Sequence, residues 1–389
     1  MPKAEEGALV FASLLLAFAS LVGCTQAPKD VHFFAEGKPE KLSDWHLVEA
    51  RGGKLVANAG VVPYDLNTPL FSDYAHKFRT VWMPNGAAAK YDAEGPFDFP
   101  VGTVLTKTFF YPHAASAASD AKAVARNYDV SRDFAAGSAD EALDLANVRL
   151  IETRILVRRE HGWEAIPYVW NAAQTDAELA RTGDAIPLEL VDDKNAREAF
   201  TYVVPNEAQC AGCHVTNVSA KQIEPLGPRA RHLNKDYSYA GGTENQLAHW
   251  TKLGTLAGAP EPAQAPRDAD WHDAKAPVAD RARAYLDVNC SMCHSPTGPA
   301  NTTALDLRSA NANLRLLGEC KPPVAAGRGT GDRLFDIVPG KPDESILLYR
   351  ITSHEPGVMM PEMGRSTTHR EGVELIRDWI AAMQGTCGA

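Results

Sequence analysis

The sequence has little positive charge, and this excludes one class of partner. Its 389 residues contain 39 Lys and Arg against 49 Asp and Glu, which gives a net charge of −10, and they include no basic run. Because affinity for nucleic acid comes mainly from clustered Lys and Arg, we expect no nucleic-acid partner. Long apolar runs are also scarce. Residues 8–22 form the only one, which excludes a protein with several membrane spans.

That apolar segment predicts an export signal. Its 15 residues suit the core of a signal peptide, whereas a membrane-spanning helix needs about 20 residues. It ends in Leu21-Val22-Gly23-Cys24, which resembles the bacterial lipobox, where the chain is cut before an acylated Cys. We interpret residues 1–23 as a lipoprotein signal peptide and Cys24 as the lipidation site; a plain secretory signal or an anchor helix is the alternative. The lipoprotein interpretation predicts a periplasmic or cell-surface protein, held on the outer membrane by its lipid.

Two copies of one cysteine motif carry the strongest chemical signal. Residues 210–214 (CAGCH) and 290–294 (CSMCH) both read C-x-x-C-H, the attachment motif of c-type haem. The spacing lets both sulfurs form thioethers at one porphyrin edge, and the next residue places a proximal imidazole on the iron. We predict two haem c groups, and the predicted covalent and iron-binding residues are Cys210, Cys213 and His214 for the first and Cys290, Cys293 and His294 for the second.

Other uses of C-x-x-C explain less of the pattern. A single zinc site built from both motifs would use four thiolates across 76 residues and would leave His214 and His294 without a role. A thioredoxin-like dithiol usually has no His directly after it. Covalent haem also agrees with export, because c-type haem is attached outside the cytoplasm.

Cys320 and Cys387 remain after the motifs are assigned. In an oxidising compartment an even remainder indicates a disulfide, which would tie the C-terminus to the loop before Lys321. Two buried free thiols are the alternative.

Local patterns predict several elements. Residues 151–158 and 163–170 form a β-hairpin with a turn near His161, residues 101–111 form a strand, and residues 114–140 form a surface insertion. Asn206 and Gln209 have the spacing of a capping box before the first motif, and Thr368 and Glu371 repeat it before the last helix.

The chain resembles a family of bacterial dihaem c-type cytochromes, and residues 279–389 resemble a class I cytochrome c domain. The stretches that carry the resemblance are Leu66–Arg79 (LNTPLFSDYAHKFR), Ile151–Asn171, Arg283–His294 (RAYLDVNCSMCH) and Met360–Ser366 (MPEMGRS). It implies haem and an architecture, and it implies no substrate.

The predicted fold class is α+β multidomain, with a β-rich N-terminal domain followed by mainly α cytochrome c-type haem domains. The predicted parts are a tether and lead-in at 24–60, the β-rich domain at 61–204, a first haem-binding segment at 205–258, a Pro-rich linker at 259–278 and a cytochrome c domain with the second haem at 279–389.

The sixth ligand of the second iron is predicted from the resemblance, because the distal Met of a cytochrome c domain commonly precedes Pro. Met360-Pro361 matches that pattern, with Met359 and Met363 as alternatives. The sequence does not assign a sixth ligand to the first iron, because no Met lies between His214 and Cys290. Its candidates are His232, His249, His272, His76 and Met83, or a water-bound iron.

These features favour an electron-transfer protein that works between redox protein partners. A dihaem peroxidase with an open first haem is the alternative, and a cytochrome subunit of a separate dehydrogenase is compatible with the first hypothesis. The Gly-rich residues 327–331 lack the G-K-[ST] ending of a phosphate-binding loop and are interpreted as a loop beside the haem.

Overall fold

The computed structural model describes residues 29–114, 120, 122–126, 142–324 and 327–388. The predicted signal peptide, the lipidation site Cys24 and most of the insertion at 114–140 lie outside the described residues. Within the described ranges, no helix is both long enough and apolar enough to cross a membrane.

Strands dominate the described part of the chain. They are β1 (Val48–Arg51), β2 (Lys54–Ala57), β3 (Val62–Tyr64), β4 (His76–Trp82), β5 (Ala89–Lys90), β6 (Val104–Pro112), β7 (Ala123–Ala125), β8 (Ala142–Asp144), β9 (Val148–Arg159), β10 (Gly162–Trp170), β11 (Ala177–Leu179), β12 (Asp184–Val191), β13 (Arg197–Val204), β14 (Asp236–Tyr239), β15 (Gly242–Asn245) and β16 (Leu256–Ala257). They form sheets with the orders β11-β10-β9-β6-β4-β3, β1-β2-β8, β13-β12-β7, β14-β15 and β16-β5.

The helices of the described residues begin after β13 and have four to thirteen residues. They are α1 (Glu207–His214), α2 (Ala230–Leu233), α3 (Gln246–Lys252), α4 (Val278–Cys290), α5 (Ile346–Thr352) and α6 (Arg370–Ala382). The first cysteine motif thus lies in α1, and the second begins at the last residue of α4.

The six-stranded antiparallel sheet separates two layers, because neighbouring side chains of a strand point to opposite faces. On one face, Val104 and Ile155 pack with Leu55 and Leu143 of the β1-β2-β8 sheet. The predicted hairpin is confirmed as β9–β10, whose pairing closes at Arg159 and Gly162.

The other face of this sheet supports two separate apolar clusters. In one, Leu105 and Leu156 pack with Trp250 of α3. In the other, Phe109 packs with Tyr202 of β13. The residues of β6 and β9 that lie between the two clusters face a cavity, which is described below.

The predicted fold class is wrong, because mainly α cytochrome c-type domains are not evident among the described residues. The structure is strand-rich, with about 28% strand and 20% helix. The segment 205–258 has helices of only four to eight residues, and its strand β16 pairs with β5. Such short helices bury too little surface to form a core alone, so α3 inserts Trp250 into a cluster shared with the sheet.

The two predicted capping boxes have different outcomes. The first is confirmed: the Asn206 side chain accepts from the Gln209 backbone N–H, and the Gln209 side chain accepts from that of Asn206. The second is wrong, because α6 begins at Arg370 without a side-chain cap. The Glu371 carboxylate instead accepts hydrogen bonds from Tyr74 (2.9 Å) and Arg126 (3.1 Å).

The C-terminus is joined to the loop before Lys321 by a disulfide between Cys320 and Cys387. The bond spans 67 residues of sequence, which include α5, α6 and the methionines of residues 359–363. It therefore restricts the unfolded chain over the whole C-terminal part that follows the second motif.

We expect Cys387→Ser to lower the free energy of unfolding by about 4 kcal/mol, the loop-closure entropy for a loop of this length. Denaturant unfolding would measure the loss. Since Cys320→Ser removes the same bond, the double variant should match either single variant; a loss below about 1 kcal/mol would contradict the constraint.

A buried carboxylate connects the six-stranded sheet, called the central sheet below, to the loop between α5 and α6. This loop (residues 353–369) contains three methionines and is called the methionine loop. Asp73 is 3% exposed and lies just before β4. Its Oδ1 accepts hydrogen bonds from the backbone N–H of Ser366 (2.7 Å), the backbone N–H of Thr367 (2.7 Å) and the Thr367 hydroxyl (2.9 Å). The nearby Phe71 N–H donates to Asn289 of α4 (2.8 Å). Residues 71–73 therefore contact both sides of the second motif.

Asp73→Ala should lower the free energy of unfolding by about 3 kcal/mol or more, because three donors lose a buried acceptor. Asp73→Asn is the matched control. It keeps Oδ1 as an acceptor, and Asn also tolerates the left-handed backbone of this position (φ 51°). We expect Asn to lose less than about 1 kcal/mol in thermal or urea unfolding; equal losses in the two variants would contradict this role of Oδ1.

Candidate functional site

Both cysteine motifs line one cavity of about 900 Å³. All four motif thiols and both imidazoles belong to its lining, namely Cys210, Cys213, His214, Cys290, Cys293 and His294. The volume lies within the roughly 300–1,000 Å³ of cofactor and ligand sites. The structure thus brings together two groups of residues that are separated by 76 positions in the sequence.

The segments that follow the two motifs also contact each other. The Val218 N–H donates to the Thr297 carbonyl (2.9 Å), and the Thr297 hydroxyl donates to the Thr216 carbonyl (3.1 Å). These residues follow the motifs by two to four positions. Burial raises the pKa of the Cys293 thiol to about 11, with an additional contribution from Cys213 of the other motif.

Each motif histidine presents the same ring nitrogen for binding. His214 Nδ1 lies 2.8 Å from the Glu224 carbonyl, which can only accept, so Nδ1 carries the proton. His294 Nδ1 lies 3.1 Å from the Thr303 hydroxyl, which itself donates to Ala300. In both rings Nε2 therefore keeps its lone pair. Burial lowers the pKa of both residues to about 4, which keeps the rings neutral near pH 7.

The motif thiols do not have the electrostatics of a redox dithiol. None of the four forms a disulfide. Burial raises the pKa of Cys210 and Cys213, and it raises the pKa of Cys290 to about 12. Thioredoxin-like exchange needs a stabilised thiolate with a lowered pKa. These buried thiols fit a structural or covalently attached role better than thiol–disulfide exchange.

The methionine loop is held at the wall of the cavity by two arginines. The Met360 N–H donates to the Arg350 carbonyl (2.9 Å), and Arg365 Nε donates to the Met360 carbonyl (3.1 Å). Met360 and Met363 belong to the cavity lining, whereas Met359 lies outside it. Met363 packs on Gly212 of the first motif, where an added Cβ would lie 2.7 Å from its sulfur.

Most of the predicted candidates for the first iron do not belong to this cavity lining. His76, His249, His272 and Met83 lie outside it. His249 contacts Glu244 (2.9 Å), His272 contacts Asp270 (3.2 Å), and His76 stacks on Phe110. Met83 is 7% exposed within an apolar cluster.

His232 is the one predicted candidate that lines the cavity, but a carboxylate binds its Nε2. This nitrogen lies 2.8 Å from Asp287 and 3.4 Å from Asp268. The three side chains are buried and could hold a metal ion by their spacing. Their polar atoms already have other partners, since Asp287 accepts from the Ser309 N–H (2.9 Å) and Asp268 from Arg231 (3.3 Å).

The His232–Asp287 contact stabilises the charged form of both side chains. Burial opposes the charged imidazole, but hydrogen bonds to Asp268 and Asp287 outweigh it and raise the pKa of His232 above 6.5. Burial likewise opposes the Asp287 carboxylate, but His232 and the neighbouring donors lower its pKa to about 2.

The stability from His232 is complete below pH 6.5 and is lost as the pH rises through its raised folded pKa. The stability from Asp287 is complete above pH 3.8 and is lost as the pH falls toward about 2. We therefore expect the free energy of unfolding to fall above pH 6.5 in the wild type. In His232→Gln, Asp287→Asn and the double variant this slope should be absent; a retained slope in urea unfolding would contradict the pair.

The sequence interpretation missed a row of basic residues on the cavity wall. Arg79, Lys107 and Arg154 all belong to the lining. The sequence does contain a sign of this row. Each of the three residues is a cation at a core-facing position of a strand, where an apolar residue is usual. Burial lowers the pKa of Lys107 to about 7, with Arg154 and Arg79 adding to the effect.

Comparisons of the chain with protein-family models, curated proteins and solved structures found no match. The interpretation of the site therefore depends on its own residues.

Proposed function

We propose that the chain is an exported dihaem c-type cytochrome that transfers electrons between redox partners in the periplasm or at the cell surface. The observation that carries this proposal is the convergence of both C-x-x-C-H motifs on one cavity, with two neutral imidazoles whose Nε2 atoms keep their lone pairs. A haem c group supplies an iron that takes up and releases one electron.

The residues of the cavity fit two such groups. Cys210 and Cys213, and likewise Cys290 and Cys293, are unpaired thiols that are available for thioether bonds. His214 and His294 would be the proximal ligands. Their Nδ1 hydrogen bonds to Glu224 and Thr303 fix the ring orientation and increase the basicity of Nε2.

Met360 is the proposed sixth ligand of the iron that His294 would bind. Its loop lies on the cavity lining and is held by Arg350 and Arg365 on either side of the residue. A thioether ligand stabilises the reduced iron relative to a second imidazole. Burial and Arg350 both lower the pKa of His294, so the imidazole stays neutral for binding.

The contact between the two motifs supports a relay within one chain. The hydrogen bonds from Val218 and Thr297 join the segments that follow the motifs, so the two groups would share one apolar cavity. Separate donor and acceptor proteins would dock outside it. The proposal includes a lipid anchor on Cys24, which would keep the relay on the outer membrane.

We predict that the full chain, produced in a host that attaches haem c, gains the mass of two haem groups and shows a Soret band. Replacing Cys210 and Cys213 by Ala should remove one group, and replacing Cys290 and Cys293 should remove the other. Intact mass spectrometry and a haem stain would measure this.

The matched control for this experiment is the removal of the other cysteine pair. Cys320→Ser with Cys387→Ser should retain both haem groups, because these residues form the disulfide and lie outside the motifs. A wild-type protein with no mass gain and no Soret band would exclude the proposed function. Rapid peroxide turnover by the holoprotein would instead favour a peroxidase.

The Met360 assignment predicts a sulfur-to-iron charge-transfer band in the oxidised protein. Met360→Ala should abolish this band, because the thioether is lost. Met359→Ala should retain it, since Met359 is adjacent in sequence but lies outside the cavity lining. Loss of the band in Met359→Ala alone would reassign the ligand.

A further inference from the structure

Three cations form a row across the middle of the central sheet. In the strand register, Lys107 of β6 lies directly opposite Arg79 of β4 on one side and Arg154 of β9 on the other. All three side chains line the cavity. Directly opposed residues have Cβ atoms about 5 Å apart, and like charges in such positions are destabilising. The repulsion among these three cations must therefore be offset by nearby anions, or the row must serve a function.

The outer two cations of the row are compensated by carboxylates. Arg79 lies 2.9 Å from Asp65, which also binds Lys235. Arg154 donates to both oxygens of Glu152, and Glu152 also accepts from the Tyr202 hydroxyl (2.7 Å). These partners hold the two guanidinium groups against the sheet, so both arginines already have a structural role.

Lys107, the central residue, differs from its neighbours. Within the residues that the structure describes, it has no ion pair; its closest described polar interaction is with the Phe109 ring, whose centroid lies 5.3 Å from Nζ. A lysine between two arginines in a low-dielectric cavity favours its neutral amine. That form has a lone pair that can bind a metal ion.

Lys107 lines the same cavity as Cys213 and His214 of the first motif. Burial lowers the pKa of His214, and the positive charge of Lys107 adds to this effect. Of the candidates that the sequence offered for this iron, His76, His249, His272 and Met83 lie outside the lining, and His232 binds Asp287. Lys107 is therefore a donor on the cavity wall that acts electrostatically on the proposed proximal histidine.

We propose that the Lys107 amine is the sixth ligand of the iron whose proximal ligand is His214. This inference rests on the proposed function. Binding releases one proton from the ammonium to solvent, and the nitrogen lone pair forms the bond to iron without a change of oxidation state. The rigid strand β6 would present the amine, so the first site would be six-coordinate.

The full-length holoprotein tests this assignment by electron paramagnetic resonance and by titration of the reduced protein with carbon monoxide. The wild type should be low-spin at both irons and should not bind carbon monoxide. Lys107→Ala should keep both haem groups by mass, show a high-spin ferric signal, and bind carbon monoxide at one of its two irons. Lys90→Ala, which removes an exposed strand lysine outside the cavity lining, should behave like the wild type.

Lys107→Met provides a second readout if the Ala variant does not fold. It should stay low-spin and gain a second sulfur-to-iron charge-transfer band, in addition to that of Met360. If Lys107→Ala keeps both groups and remains fully low-spin, the proposal is wrong, and Lys107 instead neutralises a carboxylate of the cofactor. A wild type without haem would overturn the proposed function itself, and this inference with it.

Discussion

The site depends on the hydrogen bonds that attach the methionine loop to the central sheet. Asp73 Oδ1 accepts three of them from Ser366 and Thr367, which lie more than 290 positions later in the sequence. This attachment fixes the end of the loop that contains Met360 against the residues that precede β4. Because the acceptor is buried, water cannot replace it at low cost. One side chain thus couples the stability of the fold to the geometry of the cavity.

The electrostatics of the cavity disfavour thiol–disulfide exchange and favour metal binding by the motif histidines. Its thiols have raised pKa values and its motif imidazoles have lowered ones, so both groups are neutral near pH 7. Neutral thiols are poor nucleophiles for disulfide exchange, whereas neutral imidazoles are good metal ligands. The same cavity also has a row of basic residues on the central sheet, from Arg79 to Arg154. The cavity therefore combines groups suited to covalent cofactor attachment with groups suited to anion or metal interactions.

The central sheet contributes side chains to the cavity as well as packing against the segments that carry the motifs. Its inner face is apolar at Leu105 and Phe109 and carries Lys107 between them, so a single strand supplies two core contacts and one polar group. Strand β9 repeats this arrangement with Arg154 and Leu156. A strand holds such groups more precisely than a surface loop would. Helices α1 and α4 carry motif cysteines, and the sheet supplies the basic residues of the same cavity.

The sequence by itself determined the features that depend on local spacing. The two C-x-x-C-H motifs, the cap formed by Asn206 and Gln209 and the β9–β10 hairpin all follow from residues within about one turn or strand of each other. Only the tertiary structure decided that the fold is strand-rich, that both motifs share one cavity, and that Glu371 binds Tyr74 instead of capping α6. The row of Arg79, Lys107 and Arg154 belongs to the same group, because strand register joins residues that local periodicity treats independently.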